Sequence, residues 1–297
     1  MRRFLKCLLS FTCVLCLLLT AIPYFAVSAS VQEADTEFVF SEYEFITTVR
    51  AMDDDELKDT SLTDSEIQMI RSNAIENKIL ERKQLSDSEL AVKYGYTYDD
   101  IAILRSYNGE RLENSAELAA ITGTLTIARP TVLTATASRI GVQVVWTWDQ
   151  CPFVNAEDVF AIYWDPTFGS QSGNMRINMT DSSHVVKYKH YTTSYNYNWD
   201  ITQVSPNSAA KSNFGMQDKS GEAWAQQGTL RLYFDATAGS AALTSIDFIF
   251  AYGHTIISLS PSVSFPASGG ISFGFATNEA DRRSGYINVS SKSWYDN

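Results

Sequence analysis

The 297-residue sequence predicts a mostly β protein, an antiparallel β-sandwich that is preceded by a small acidic α-helical region. After residue 121, apolar and polar residues alternate, as they do in strands with one buried face. Turn residues such as Asp165 and Pro166, or Gly269 and Gly270, separate these strands without long intervening helical patterns, which favours antiparallel pairing. Before residue 120, capping residues and a helical apolar period indicate short helices instead.

The first 29 residues have the pattern of a secretory signal peptide. Basic residues at positions 2, 3 and 6 precede an apolar run at 8–19, and a small-residue exit leads to expected cleavage after Ala29. The alternative, an uncleaved membrane anchor, is disfavoured because Pro23 would break a spanning helix near its end. We therefore expect a secreted protein, either extracellular or associated with a cell surface, divided into residues 1–29, 30–120 and 121–297.

The cysteines add to this picture. Three of the four lie in the signal region, so Cys151 is the one cysteine of the mature chain. A single cysteine cannot form an internal disulfide or a multi-thiolate zinc site. We interpret Cys151 as a small core residue rather than a reactive thiol.

Acidic residues are concentrated in the front region. Residues 30–120 hold 21 of the 34 acidic residues but only 9 of the 23 basic ones. This charge argues against a nucleic-acid partner, because neutralising phosphates requires clustered Lys and Arg. The region is interpreted as a solvated face, with an inhibitory or maturation segment as the alternative.

The helices of the front region are predicted from their caps. Thr63 with Glu66, and Ser86 with Glu89, match the capping-box pattern. Apolar residues from Ile67 to Leu80 form one helical stripe, and Thr97 begins another helix that ends at Tyr107. The run of acidic residues at 53–56 lacks the ligand spacing of a calcium loop, so it is interpreted as a solvated linker. No metal site and no cofactor are predicted.

Three segments of the back region predict half-buried strands. Their inward-facing residues are Val142, Val144, Trp146 and Trp148, then Leu230, Leu232 and Phe234, then Ile246, Phe248, Phe250 and Tyr252.

A serine-rich hairpin is the first candidate site. Serines at alternate positions from 258 to 264 define one face, and an apolar face runs through a hairpin turn at Gly269 and Gly270. Such a hairpin suits contact with a bacterial membrane, and the candidate contacts are Ile257, Leu259, Val263, Phe265 and Phe273. The alternative is ordinary packing in the sandwich, which Pro261 supports because it removes a ladder hydrogen bond.

An aromatic segment is the second candidate site. Tyr195, Tyr197 and Trp199 share one face of a predicted strand, among polar residues such as Asn196 and Asn198. Flat rings beside polar groups can stack on sugars, so these residues are candidates for binding a carbohydrate or cell-wall glycan. Packing of aromatic residues across strands is the alternative.

Evidence for an enzyme is sparse, and we predict no catalytic residue. His184 and His190 share a strand face but lie about 20 Å apart if the strand is straight, too far to ligate one metal. His254 has no neighbouring carboxylate in sequence beyond Asp247, and no zinc-protease or nucleophile-elbow motif occurs. A hydrolase assembled from scattered residues is the alternative, and it predicts that changing His254 or His190 abolishes turnover without disturbing folding.

Four segments resemble a group of uncharacterised secreted proteins from Gram-positive bacteria: 144–148, 161–165, 252–254 and 258–264. Some members of that group resemble large geobacillin-like bacteriocins, and the resemblance implies action on neighbouring cells. We therefore expect a secreted, non-enzymatic protein acting at a cell surface, foremost as a bacteriocin-like or membrane-active protein. The alternatives are a cell-wall or carbohydrate-binding module and a secreted hydrolase.

Overall fold

The computed structural model describes residues 39–60, 62–169, 172–256 and 260–297, and for residues 39 and 40 only the backbone. The predicted signal peptide and its three cysteines lie outside these residues. After a two-residue strand at Val39–Phe40, six α-helices are followed by two short 3-10 helices at Leu112–Asn114 and Ala116–Ala120. The α-helices are α1 (Glu42–Ala51), α2 (Asp54–Asp59), α3 (Asp64–Arg71), α4 (Ala74–Lys83), α5 (Asp87–Val92) and α6 (Tyr98–Ser106).

The helix caps confirm most of the helical prediction. Thr63 and Ser86 each form a capping box with the glutamate three residues later, and Thr97 does so with Asp100. Gly95 follows α5 with a φ of 83°, a left-handed conformation that favours glycine.

Two details of the helical prediction were wrong. The predicted linker at residues 53–56 begins helix α2, because the Asp53 carboxylate accepts hydrogen bonds from the amides of Asp55 and Glu56. The predicted stripe from Ile67 to Leu80 spans two helices rather than one. Ser72, which ends α3, has an extended backbone with ψ of 172°, so the chain turns there before α4.

The strands confirm the predicted fold class: within the described residues every strand pairing is antiparallel. One sheet contains β1 (Val39–Phe40), β2 (Gly123–Ile127), β3 (Thr131–Ala135), β4 (Arg139–Trp148), β6 (Met175–Ile177), β7 (Ser183–Lys189), β8 (Ser194–Trp199) and β11 (Trp224–Ala236). Its strand order is β1-β2-β4-β11-β7-β8, with β3 added beside β4 and β6 beside β11.

The second sheet has six strands: β5 (Glu157–Phe168), β9 (Thr202–Ser205), β10 (Ala209–Gly215), β12 (Leu243–Thr255), β15 (Thr277–Asn288) and β16 (Ser293–Asp296). Their order in the sheet is β16-β15-β12-β5-β10-β9. A separate two-stranded hairpin pairs β13 (Val263–Ser264) with β14 (Ser272–Phe273).

Aromatic rings from the two sheets meet in the core of the sandwich. Trp146 of β4 lies edge-on to Tyr252 of β12, with ring centroids 5.0 Å apart, and Phe234 of β11 lies 5.1 Å from Phe248. All the inward-facing residues predicted for β4, β11 and β12 are fully buried. The alternation of apolar residues therefore identified the core face of each of these strands correctly.

The core continues from the sandwich into the helices. Ile46 of α1, Ile79 of α4 and Leu104 of α6 belong to the same contiguous buried cluster as Trp148 of β4. The described residues accordingly form one compact unit. Across the described residues, no helix combines the length and apolar character needed to cross a membrane.

Candidate functional site

The three predicted sugar-contacting residues lie together on β8, an edge strand of the larger sheet. Tyr195, Tyr197 and Trp199 stand opposite Tyr188, Val186 and His184 of β7 in the antiparallel register. Directly paired residues point to the same side of a sheet, so the three rings continue its core-facing side. We call Tyr195, Tyr197 and Trp199 the aromatic shelf.

The aromatic shelf is only partly covered by the rest of the protein. Tyr195 is 42% exposed and Tyr197 is 41% exposed, whereas their partners Tyr188 and Val186 are buried. Consecutive shelf residues are two positions apart, so the shelf spans about 13 Å along the strand. A row of this length suits a chain of sugar rings better than a single monosaccharide.

Contacts with the neighbouring strand and among the shelf residues themselves hold the aromatic shelf in place. The Tyr195 ring stacks on Tyr188 at 5.7 Å with an interplanar angle of 16°, and Tyr197 lies 5.2 Å from Trp199. The Trp199 indole donates a 3.1 Å hydrogen bond to the Tyr188 hydroxyl, which donates in turn to the carbonyl of Gly215. Rings fixed in this way lose little conformational entropy when a ligand binds.

A loop between β10 and β11 supplies charge beside the shelf. The Tyr195 hydroxyl donates to Asp218, which also accepts from Ser220 and from the amides of Glu222 and Ala223. Burial raises the pKa of Asp218, but these hydrogen bonds outweigh burial and lower it to about 2. Burial and Asp218 raise the pKa of Tyr195 to about 12. At neutral pH the loop therefore presents a carboxylate and the shelf a neutral hydroxyl.

The polar groups beside the rings are not those that stand out in the sequence. Asn196 and Asn198 alternate with the shelf residues, so they lie on the opposite side of β8. The polar groups that do lie beside the rings belong to Asp218 and Lys219. The Lys219 ammonium is 5.6 Å from the centre of the Tyr197 ring. The sequence signal for this loop was weak, because it lies about 20 residues from the shelf in the chain.

The hairpin residues pack against the protein. Val263, Phe265 and Phe273 contact a small apolar cluster on the outer face of the six-stranded sheet, formed by Ala161, Ala251 and Ile271. Each of the three is half-buried, while Ser264 and Ser272 point to solvent. Ile257 and Leu259, the other predicted membrane contacts, lie outside the described residues.

Two of the three histidines are fully buried. His184 accepts a hydrogen bond from the Trp146 indole at 3.2 Å and lies 2.8 Å from the Ser212 hydroxyl. Burial lowers its pKa to about 3, so the ring is neutral and Nδ1 is its donor. His190 is half-buried, and its Nε2 lies 3.7 Å from Glu222.

His254 lies between two carboxylates that are distant in sequence. Its Nδ1 is 2.9 Å from Asp158 of β5, and its Nε2 is 3.5 Å from Glu42 at the start of α1. Burial lowers the pKa of His254, but the two carboxylates outweigh it and raise the value to about 10. With His254 and Asp158 wholly inaccessible, this cluster ties a helix to the sandwich rather than facing a substrate.

Cys151 is a buried free thiol, as predicted. Burial raises its pKa to about 11 despite the nearby Arg82 guanidinium. Arg82 donates to the carbonyl of Cys151, and its guanidinium packs over the rings of Tyr94 and Phe153. Within the described part of the chain, no group of three or more His, Cys, Asp or Glu residues could hold a metal ion.

Comparison with known proteins does not assign this chain to a family. No family model matches the chain, and no curated protein matches it. One solved structure, described as AvmM, which catalyses macrocyclization in alchivemycin A biosynthesis, is 7% identical; the match covers 55% of this chain and 88% of that one with a TM-score of 0.28. Another, described as a pore-forming protein, is 6% identical over 59% of this chain and 81% of that one, with a TM-score of 0.23. Both scores are too low for either likeness to bear on function.

Proposed function

We propose that this chain is a secreted protein that binds a glycan at a cell surface, with the aromatic shelf as its binding surface. The observation that carries the proposal is the exposure of Tyr195 and Tyr197 on the core-facing side of their sheet. Side chains on that side are otherwise buried along β7, so these two rings remain available for contact. Rigid aromatic side chains that also carry a hydroxyl or an indole N–H are common contact residues in recognition surfaces.

Charge favours a neutral glycan over an anionic wall polymer. The chain has a net charge of −11, and Asp218 adds a carboxylate directly beside the Tyr195 hydroxyl. An anionic polymer would be repelled by the net charge of the chain, whereas a neutral glycan would meet no such repulsion.

A sedimentation assay tests this proposal. Purified chain of residues 30–297 is mixed with insoluble bacterial cell wall from which anionic polymers have been removed. We expect the chain to sediment with the wall, and Tyr197→Ala to weaken binding about tenfold, since loss of a central aromatic anchor costs more than 1 kcal/mol. Tyr295→Ala removes another tyrosine that is 40% exposed, at the far edge of the other sheet, and serves as the matched control. Equal binding by Tyr197→Ala and wild type would reject the shelf as the binding surface.

A membrane-active role is the second candidate, and a different observation favours it. The apolar side of the hairpin forms its own small cluster, apart from the main core, so the hairpin could leave the sheet without opening the sandwich. Such a release would expose the apolar side of the hairpin to a membrane. This is the bacteriocin-like action expected from the sequence.

Gly253 offers a way to loosen the hairpin. A Cβ added there would lie 2.5 Å from the Phe273 ring, so Gly253→Ala should push β14 off the sheet. Under the membrane-active hypothesis, Gram-positive cells take up an impermeant dye when treated with wild type, and more dye with this variant. Gly169→Ala, where the nearest atom is 3.9 Å away, is the control. Absence of dye uptake with all three proteins would eliminate membrane action.

A further inference from the structure

An apolar cavity lies where three helices meet the sandwich. It has a volume of about 190 Å³ and is lined by Ile46 of α1, Ile70 of α3 and Ile75 of α4, with Ile256, the residue after β12. Engineered apolar cavities of about 150 Å³ stay dry and bind small apolar molecules. This cavity is therefore large enough to hold part of an alkyl chain.

One cation lies at the edge of this apolar lining. Lys78 of α4 contributes to the cavity wall, and its residue is exposed to solvent. Within the described residues, its ammonium makes no hydrogen bond or ion pair. Partial burial lowers the pKa of Lys78, and the charges of Glu42 and Glu81 oppose this effect. Glu42 makes no ion pair with Lys78; its carboxylate accepts from the amides of Phe153 and Val154 and lies 3.5 Å from His254.

The mouth of the cavity is open to solvent at two further residues. Met69 is 38% exposed, and Ala74 at the start of α4 is also exposed. Both residues line the cavity, so a ligand can enter between α3 and α4. Methionine side chains adapt readily to apolar ligands because they are unbranched and flexible.

We propose that this cavity binds a free fatty acid, with the alkyl chain among the isoleucines and the carboxylate at Lys78. The apolar lining selects the chain, and the unpaired ammonium complements the charge of the head group. The chain enters past Met69 and Ala74. This site is independent of the aromatic shelf and of any glycan bound there.

Calorimetric titration of residues 30–297 with decanoate, below its micelle concentration, tests the site. We expect saturable binding with one site per chain. Lys78→Gln should weaken decanoate binding up to about fivefold, the effect expected from a partly solvated ion pair, and leave decanol binding unchanged. Lys58→Gln changes an exposed lysine of α2 and is the matched control.

A second variant tests the location without removing the charge. Ala74→Phe places a ring at the mouth and should abolish binding of both decanoate and decanol. Its thermal unfolding midpoint, compared with that of wild type, establishes that the variant is folded. No binding by wild type at millimolar decanoate would overturn the proposal. Binding that neither Lys78→Gln nor Ala74→Phe changes would also overturn it.

Discussion

The histidine held between two carboxylates gives the protein a pH-dependent stability that can be measured. The pKa of His254 is about 10 in the folded protein, against 6.5 for an unperturbed histidine. Because the folded pKa is the higher one, the charged ring stabilises the fold fully below pH 6.5. That stabilisation is lost as the pH rises towards 10.

The size of the effect follows from the shift. Each unit of pKa corresponds to about 1.4 kcal/mol, so the charged ring contributes about 5 kcal/mol below pH 6.5. Between pH 7 and pH 9 the contribution falls by about 3 kcal/mol. His254→Gln replaces the ring with a neutral amide that does not titrate, so the variant lacks this part of the pH dependence.

Urea unfolding at pH 6, 7, 8 and 9 measures the difference in the free energy of unfolding between wild type and His254→Gln. We expect wild type to be more stable at pH 6 and its advantage to shrink by about 3 kcal/mol between pH 7 and 9. His190→Gln makes the same change at a half-buried histidine outside this cluster and is the matched control. A difference between wild type and His254→Gln that stays constant across this range would refute the reasoning. If His254→Gln does not fold, the ring protons of His254 in wild-type NMR spectra provide the titration directly.

Three further predictions concern the core. Gly228→Ala should lower the free energy of unfolding by about 3 kcal/mol, measured with urea, because the added Cβ would lie 2.2 Å from the buried Trp146 ring; a change below 0.5 kcal/mol would contradict this packing. Cys151 should not react with an aromatic disulfide reagent at pH 8 until the chain is unfolded, and rapid reaction of the folded protein would disprove its burial. Residues 121–297 alone should lose cooperative thermal unfolding, since the helices share their core; a melting transition like that of the full chain would contradict this.

Much of the fold could be predicted from local patterns. The alternation in β4, β11 and β12 identified the core-facing residues because strand side chains repeat every two positions. The capping boxes at Thr63 and Ser86 identified two helix starts, since they involve residues only three apart.

The remainder depends on contacts between distant residues. Glu42 and His254 are 212 positions apart, and Asp158 and His254 are 96 apart, so nothing local in the sequence indicates that they meet. The same holds for Asp218 beside Tyr195, which only the folding of β10 and β11 brings to the edge strand. The shelf residues themselves were found because they share one face of one strand.

Quenching of tryptophan fluorescence by iodide tests the glycan-binding surface most directly. Five of the six tryptophans are buried, and Trp199 is the one that solvent reaches. Soluble fragments of a neutral cell-wall glycan should protect Trp199 from iodide in wild type, and protection should be lost in Tyr197→Ala. If saturating glycan leaves the quenching of wild type unchanged, the aromatic shelf is not the binding surface.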